Sequence, residues 1–178
     1  MTRDVVGQGR WHALEHFRWI DGDADVWSML QDHAALSAIV KALADIAGRD
    51  RPDYIAGIES RGFVLAPAVA VALGIGFVAV RKDGAMFPGS LISRWTEVDY
   101  RGQQRTLSMR RDHLQPGARL VLVDDWVETG SQALAVAELA KEGGAEVVSV
   151  VTIVDEARDT ARHRLPPIHS LVTGADLP

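Results

Sequence analysis

LVLVDDWVETGSQALAVAEL, residues 120–139, opens on a β-favouring apolar run, turns through a polar loop and closes in helical spacing. The run Leu120 to Val123 predicts a strand that delivers two adjacent carboxylates, Asp124 and Asp125, to its carboxyl end, where ligands bind in open parallel sheets. Glu128, Thr129, Gly130, Ser131 and Gln132 then lead into a helix. The backbone N–H groups of this loop, the Thr129 and Ser131 hydroxyls and the positive helix terminus form an anion cradle sized for a terminal phosphate. Gly130 lets the backbone approach closely. Carboxylates beside such a cradle suit ribose hydroxyls and a hard cation such as Mg²⁺. A strand-end carboxylate or a helix-capping Thr is commonplace alone; the combination in one segment points to function. The glycine spacing and Lys of a Walker loop are absent, as is a dinucleotide-binding glycine pattern.

Outward from this segment, β-rich apolar runs alternate with helical patterns, the signature of crossover units on a parallel sheet. Strands are predicted at Tyr54 to Ile58, Ile75 to Val80, Leu120 to Val123 and Val147 to Val154. Gly62 to Gly74 reads as a buried Ala-rich helix. Gln132 to Glu142 reads as a helix closed by Gly143-Gly144. Leu36, Ile39, Val40, Leu43 and Ile46 mark a further amphipathic helix ending near Gly48. The expected fold is α/β, a doubly wound, mainly parallel sheet. Leu91 to Met109 alternates polar and apolar residues around Gly102, which predicts a flexible β-hairpin flap over 91–109. The first 33 residues, with Trp11, Trp19, Trp27 and many charges, suit a small N-terminal hood.

The chain has 178 residues, 47% of them apolar, enough for one well-buried core and too few for two ordinary domains, so 1–178 is expected to be a single domain. A formal net charge of -5 supplies no basic field, and nucleic acid is not an expected partner. Cysteine is absent, which excludes disulfides and thiolate metal sites. No leader-like apolar region and no bilayer-length run is seen, so a soluble cytoplasmic protein without a membrane partner is expected.

The segment 120–139 resembles the phosphoribosyl pyrophosphate (PRPP) motif of type I phosphoribosyltransferases: an apolar strand, two acidic residues, two apolar residues and a Thr-Gly loop. Gly57 to Gly89, GIESRGFVLAPAVAVALGIGFVAVRKDGAMFPG, resembles the matching stretch of adenine phosphoribosyltransferases. The resemblance implies PRPP and a purine-type nucleobase as partners, Mg²⁺ as cofactor held by Asp124 and Asp125, and a homodimer. It implies that Ser60, Arg61 and Gly62 bind the pyrophosphate, with a cis peptide between Ser60 and Arg61, and that Arg81 and Lys82 close its other side. A planar guanidinium at Arg61 forks onto phosphate oxygens and stabilises charge that grows on the leaving group.

On the flap, Asp99 matches a family Glu that protonates or orients the base, Tyr100 matches a neighbouring Tyr, and Glu97 is the reserve acid or base. Glu128 stands where adenine enzymes carry a small residue and 6-oxopurine enzymes carry an Asp, and is expected to accept a proton or hydrogen bond from the base. Base contacts are expected from Trp27, Phe17 and Val127. Before the Pro-Gly at 88–89, Ala85, Met86 and Phe87 replace a basic residue of the family. Three other readings stay open: the same transfer to a different or modified base, a PRPP-binding regulator of the same fold, and a kinase or hydrolase for another sugar phosphate.

Overall fold

Five apolar runs rich in Val, Ile and Ala form the parallel centre of a seven-stranded sheet, in a computed structural model that describes residues 4–84, 87–98 and 102–178. In chain order the elements are α1 (Val5–Glu15), β1 (Trp19–Ile20), β2 (Asp23–Ala24), α2 (Val26–Gln31), α3 (His33–Gly48), β3 (Tyr54–Ile58), α4 (Gly62–Leu73) and β4 (Gly76–Lys82). They continue with β5 (Leu91–Trp95), β6 (Thr106–Arg110), β7 (Arg119–Val127), α5 (Ser131–Glu142), β8 (Glu146–Asp155), α6 (Asp159–Arg162) and β9 (Ile168–Thr173). The sheet order is β5-β6-β4-β3-β7-β8-β9. β4, β3, β7, β8 and β9 pair in parallel, while β6 and β5 add an antiparallel hairpin at one edge.

The crossovers cover opposite faces, as a doubly wound sheet requires. α3 and α4 bury Ile39, Leu43, Leu65 and Val69 against Val121, Val123 and Ile153. α5 buries Val136 and Leu139 against Leu120, Leu122 and Val150, together with Leu107 and Met109 of the hairpin. Truncating a fully buried Leu such as Leu43 to Ala costs about 2–5 kcal/mol. From the neighbouring strands β3 and β7 the chain leaves in opposite directions, so a crevice opens beyond their carboxyl ends.

Local chemistry sets the helix ends. The Asp32 carboxylate accepts from Ala35 N at 2.8 Å and starts α3. Gly74, left-handed at φ 70°, ends α4. The expectation of a buried helix over 62–74 needs one correction: Leu65, Ala66, Val69 and Ala70 are buried, but Val71 is 81% exposed on the side that no layer covers. The strand expected over 120–123 also runs further, because β8 stays alongside it as far as Asp155, pairing Asp124 with Thr152 and Trp126 with Val154. Asp124 and Asp125 therefore lie within β7 and not beyond it.

The N-terminal region divides in two. α1 packs into the core layer, where a Cβ at Gly9 would lie 2.3 Å from that of Ala42, and Ala13 and Phe17 join the buried cluster. The small ribbon β1–β2 and α2 reach the crevice. Among the described residues no helix is long and apolar enough to cross a membrane.

Candidate active site

At the crevice, β7 and the loop after it line a cleft of about 570 Å³ with Asp124, Trp126, Val127, Glu128, Thr129, Gly130, Ser131 and Gln132. Arg61 from the loop after β3 contributes to the same lining, and Trp19, Gly22, Asp23, Ala24 and Trp27 close it from the N-terminal ribbon and α2.

The cradle after β7 is ordered by its own hydroxyls. Thr129 Oγ1 donates to Ser131 Oγ at 3.1 Å, and Leu134 N donates to Gly130 O at 2.9 Å as α5 begins. Gly130 is left-handed at φ 70°, and a Cβ there would fall 2.4 Å from Leu165 Cδ1. Only a bare residue lets the loop sit this low on the chain behind it.

Successive strand side chains diverge, and the two carboxylates have different surroundings. Asp124 faces the cleft and accepts from Asp125 N at 3.0 Å. Burial, reinforced by the charge of Asp125, holds Asp124 well above the ordinary carboxylate range. Asp125 is 3% exposed, with Oδ2 lying 3.0 Å from Arg61 Nε in an ion pair and accepting no hydrogen bond. Gly62 allows the two loops to meet, since a Cβ on it would lie 3.3 Å from Asp124 Oδ1.

On the β3–β4 side, Glu59 accepts from Arg81 Nε at 3.0 Å and from Lys82 N at 3.2 Å. Burial works to raise Glu59, but these bonds outweigh it and leave the carboxyl below its ordinary value. Lys82 is lowered by burial, with Asp124 opposing and the cations Arg105 and Arg61 assisting. The cis peptide joins Glu59 to Ser60, one bond earlier than the expected Ser60–Arg61.

The structure thus brings Asp124, Glu128, Thr129, Gly130, Ser131, Gln132, Arg61, Val127 and Trp27 to one cleft. Asp125, Ser60, Gly62, Arg81 and Lys82 are outside that lining, Asp125 paired with Arg61 and Arg81 with Glu59. Phe17 does not reach it: 1% exposed, it lies in the core with its ring centroid 5.0 Å from that of Trp19. Glu97 lies behind the cradle, beside a cavity of about 170 Å³, with Oε1 2.6 Å from Arg164 Nη2. Asp99 and Tyr100, like Ala85 and Met86, lie outside the described residues.

Sequence reasoning passed over Trp126, Glu156, Trp19 and Arg105. Trp126 Nε1 donates to Glu156 Oε2 at 3.2 Å at the mouth of the cleft. The signal for Glu156 was available, because it directly follows the neighbouring parallel strand β8, whose carboxyl end shares the crevice. Arg105, just before β6, carries no motif of its own.

The phosphoribosyl transferase domain model matches residues 26–171. Over 141 residues the chain is 39% identical to the adenine phosphoribosyltransferase of Desulfitobacterium hafniense, covering 79% of this chain and 80% of that one. To the adenine phosphoribosyltransferase of Mus musculus it is 36% identical over 147 residues, covering 81% and 80%. Among solved structures, the adenine phosphoribosyltransferase of Rhodothermus marinus superposes with a TM-score of 0.80 at 27% identity, over 93% of this chain and 98% of that one. That of Giardia lamblia, complexed with 9-deazaadenine, gives 0.82 at 27% identity, over 92% and 97%.

Proposed function

The chain belongs to the phosphoribosyltransferase family, and from that premise we propose that it transfers ribose 5-phosphate from PRPP to adenine, releasing pyrophosphate. The observation that carries this reading is one cleft in which the Asp124 carboxylate, Arg61 and the cradle 128–131 converge under an aromatic ribbon. In this reading the cradle N–H groups hold the 5-phosphate and Asp124 accepts from ribose hydroxyls. Arg61 and Lys82 bind the pyrophosphate. The base nitrogen bonds to the ribose anomeric carbon as the bond to the pyrophosphate oxygen breaks, and the base loses its N–H proton. Glu128 is the acceptor for that proton within the cleft lining.

The residues also fit Mg²⁺. Asp124 faces the cleft, and Asp125 Oδ2 behind it is a buried carboxylate oxygen that accepts no hydrogen bond, though it is ion-paired to Arg61 Nε at 3.0 Å. Among the described residues no three His, Cys, Asp or Glu gather as a metal cage. Such an ion takes one or two carboxylates and fills its remaining positions with substrate oxygens and water. Asp124 and Asp125 would hold it, and when bound it would offset the charge of the pyrophosphate. A homodimer working in the cytoplasm completes the proposal. The decisive experiment supplies PRPP, Mg²⁺ and a panel of bases and measures pyrophosphate release. Release with adenine supports the reading, and PRPP binding without release for any base contradicts it.

A further inference from the structure

We infer that Glu156 is a specificity-determining residue that selects a base carrying an exocyclic amino group over one carrying an exocyclic carbonyl oxygen at the same position. This rests on the phosphoribosyl transfer proposed above.

The acceptor end of the cleft, away from the cradle, is walled by the indoles of Trp19, Trp27 and Trp126, with Ala24 offering only a methyl group. Flat aromatic walls suit a planar heterocycle but read none of its edges. Reading falls to polar atoms, and Glu156 is one of the polar side chains in the lining. The indole N–H of Trp126 would be a donor to the base, but it donates to Glu156 Oε2 at 3.2 Å. Glu156, which lines the cleft, adds a carboxylate that only accepts.

This carboxylate is positioned from two directions. Trp126 holds one oxygen, and Gly174 gives room to the other: a Cβ at residue 174 would lie 3.0 Å from Glu156 Cγ and 3.1 Å from Oε1. Any larger residue at 174 would displace the Glu156 side chain. A strand-end Glu packed against a bare backbone and tied to an indole has a defined aim.

The chemistry then discriminates. An amino group gives N–H donors to the carboxylate, whereas a ring carbonyl presents lone pairs to it and is repelled. Sites built to hydrogen-bond a substrate group reject the analogue lacking it far more strongly than apolar pockets reject a change of size.

The test compares kcat/KM for adenine and hypoxanthine, which differ in carrying an amino group or an oxygen on the same ring, in wild type, Glu156→Gln and Gly174→Ala. Glu156→Gln keeps the shape but can turn an N–H towards the oxygen. The adenine preference is expected to narrow at least about tenfold, the scale of a hydrogen bond to a charged group. Gly174→Ala, which displaces the side chain without changing its charge, is expected to narrow it in the same direction. PRPP affinity by calorimetry should move less than twofold in both. Adenine turnover with the preference unchanged in Glu156→Gln overturns this inference alone. PRPP binding with no turnover of either base by wild type overturns the proposed function, and this inference with it.

Discussion

Two carboxylates in sequence on β7 serve different masters. Asp124 keeps its proton above the ordinary range because it is buried beside Asp125, while Asp125 is closed against Arg61. A carboxyl whose folded value is raised lends stability that is complete below its ordinary value near about 4 and is lost as pH rises through the folded value. Above that folded value the charged Asp124 destabilises the ligand-free protein, and Asp124→Asn should raise Tm there, by about 2–4 °C for each kcal/mol relieved. The same variant should lose most PRPP affinity by calorimetry, as should Asp125→Asn. For wild type, PRPP affinity should weaken as pH falls and Asp124 takes up its proton. Glu128→Ala should lower kcat about 10²- to 10⁴-fold while PRPP still binds, because the cradle donates through its backbone. Steady-state kinetics with calorimetry separate the two effects, and unchanged turnover would remove Glu128 from the chemistry.

At the scale of elements, local composition accounts for some boundaries and long-range packing for others. β3 spans 54–58 as expected because Tyr-Ile-Ala-Gly-Ile is bounded by Pro52-Asp53 on one side and the Glu-Ser-Arg-Gly loop on the other. β7 runs past its expected end although Asp124 and Asp125 interrupt its apolar run, because the neighbour strand β8 keeps them extended. α1 falls in the expected small hood because Trp11 and the charges around it suit a cap; its docking rests on Gly9 meeting Ala42, a long-range fit that spacing does not signal. Glu97 shows the same limit. Its sequence suggested chemistry, yet Arg164, 67 residues away, takes both its oxygens. This pair ties the segment following β5 to the chain behind the cradle. Arg164→Ala should therefore raise KM for PRPP several-fold, with Tm essentially unchanged, since both partners are exposed. A fall in kcat with KM constant would instead return Glu97 to the chemistry.

At the scale of the whole molecule, the chain ends hold the ribbon over the cleft. Arg10 on α1 forks onto Asp176, and Trp19 Nε1 donates to Pro178 O at 3.1 Å. Hydrogen bonds from Arg10 and Thr173 depress the Asp176 carboxyl far below its ordinary value. A depressed carboxyl lends stability that is present above its ordinary value near about 4 and is lost as pH falls through the folded one. Asp176→Asn should therefore lower Tm at pH 7, with the gap to wild type closing in strong acid, and should raise KM for the base more than KM for PRPP. Thermal melts across pH and paired KM values check both.

The five tryptophans are distributed so that light can follow these events without a label. Trp19, Trp27 and Trp126 wall the cleft, whereas Trp95 sits on the hairpin and Trp11 on α1. A base sliding between the three cleft indoles should quench their emission and shift it to the blue as water leaves. Fluorescence titration of the native chain would then yield base and PRPP affinities directly, and Trp95→Phe would show how much of the signal belongs to the hairpin.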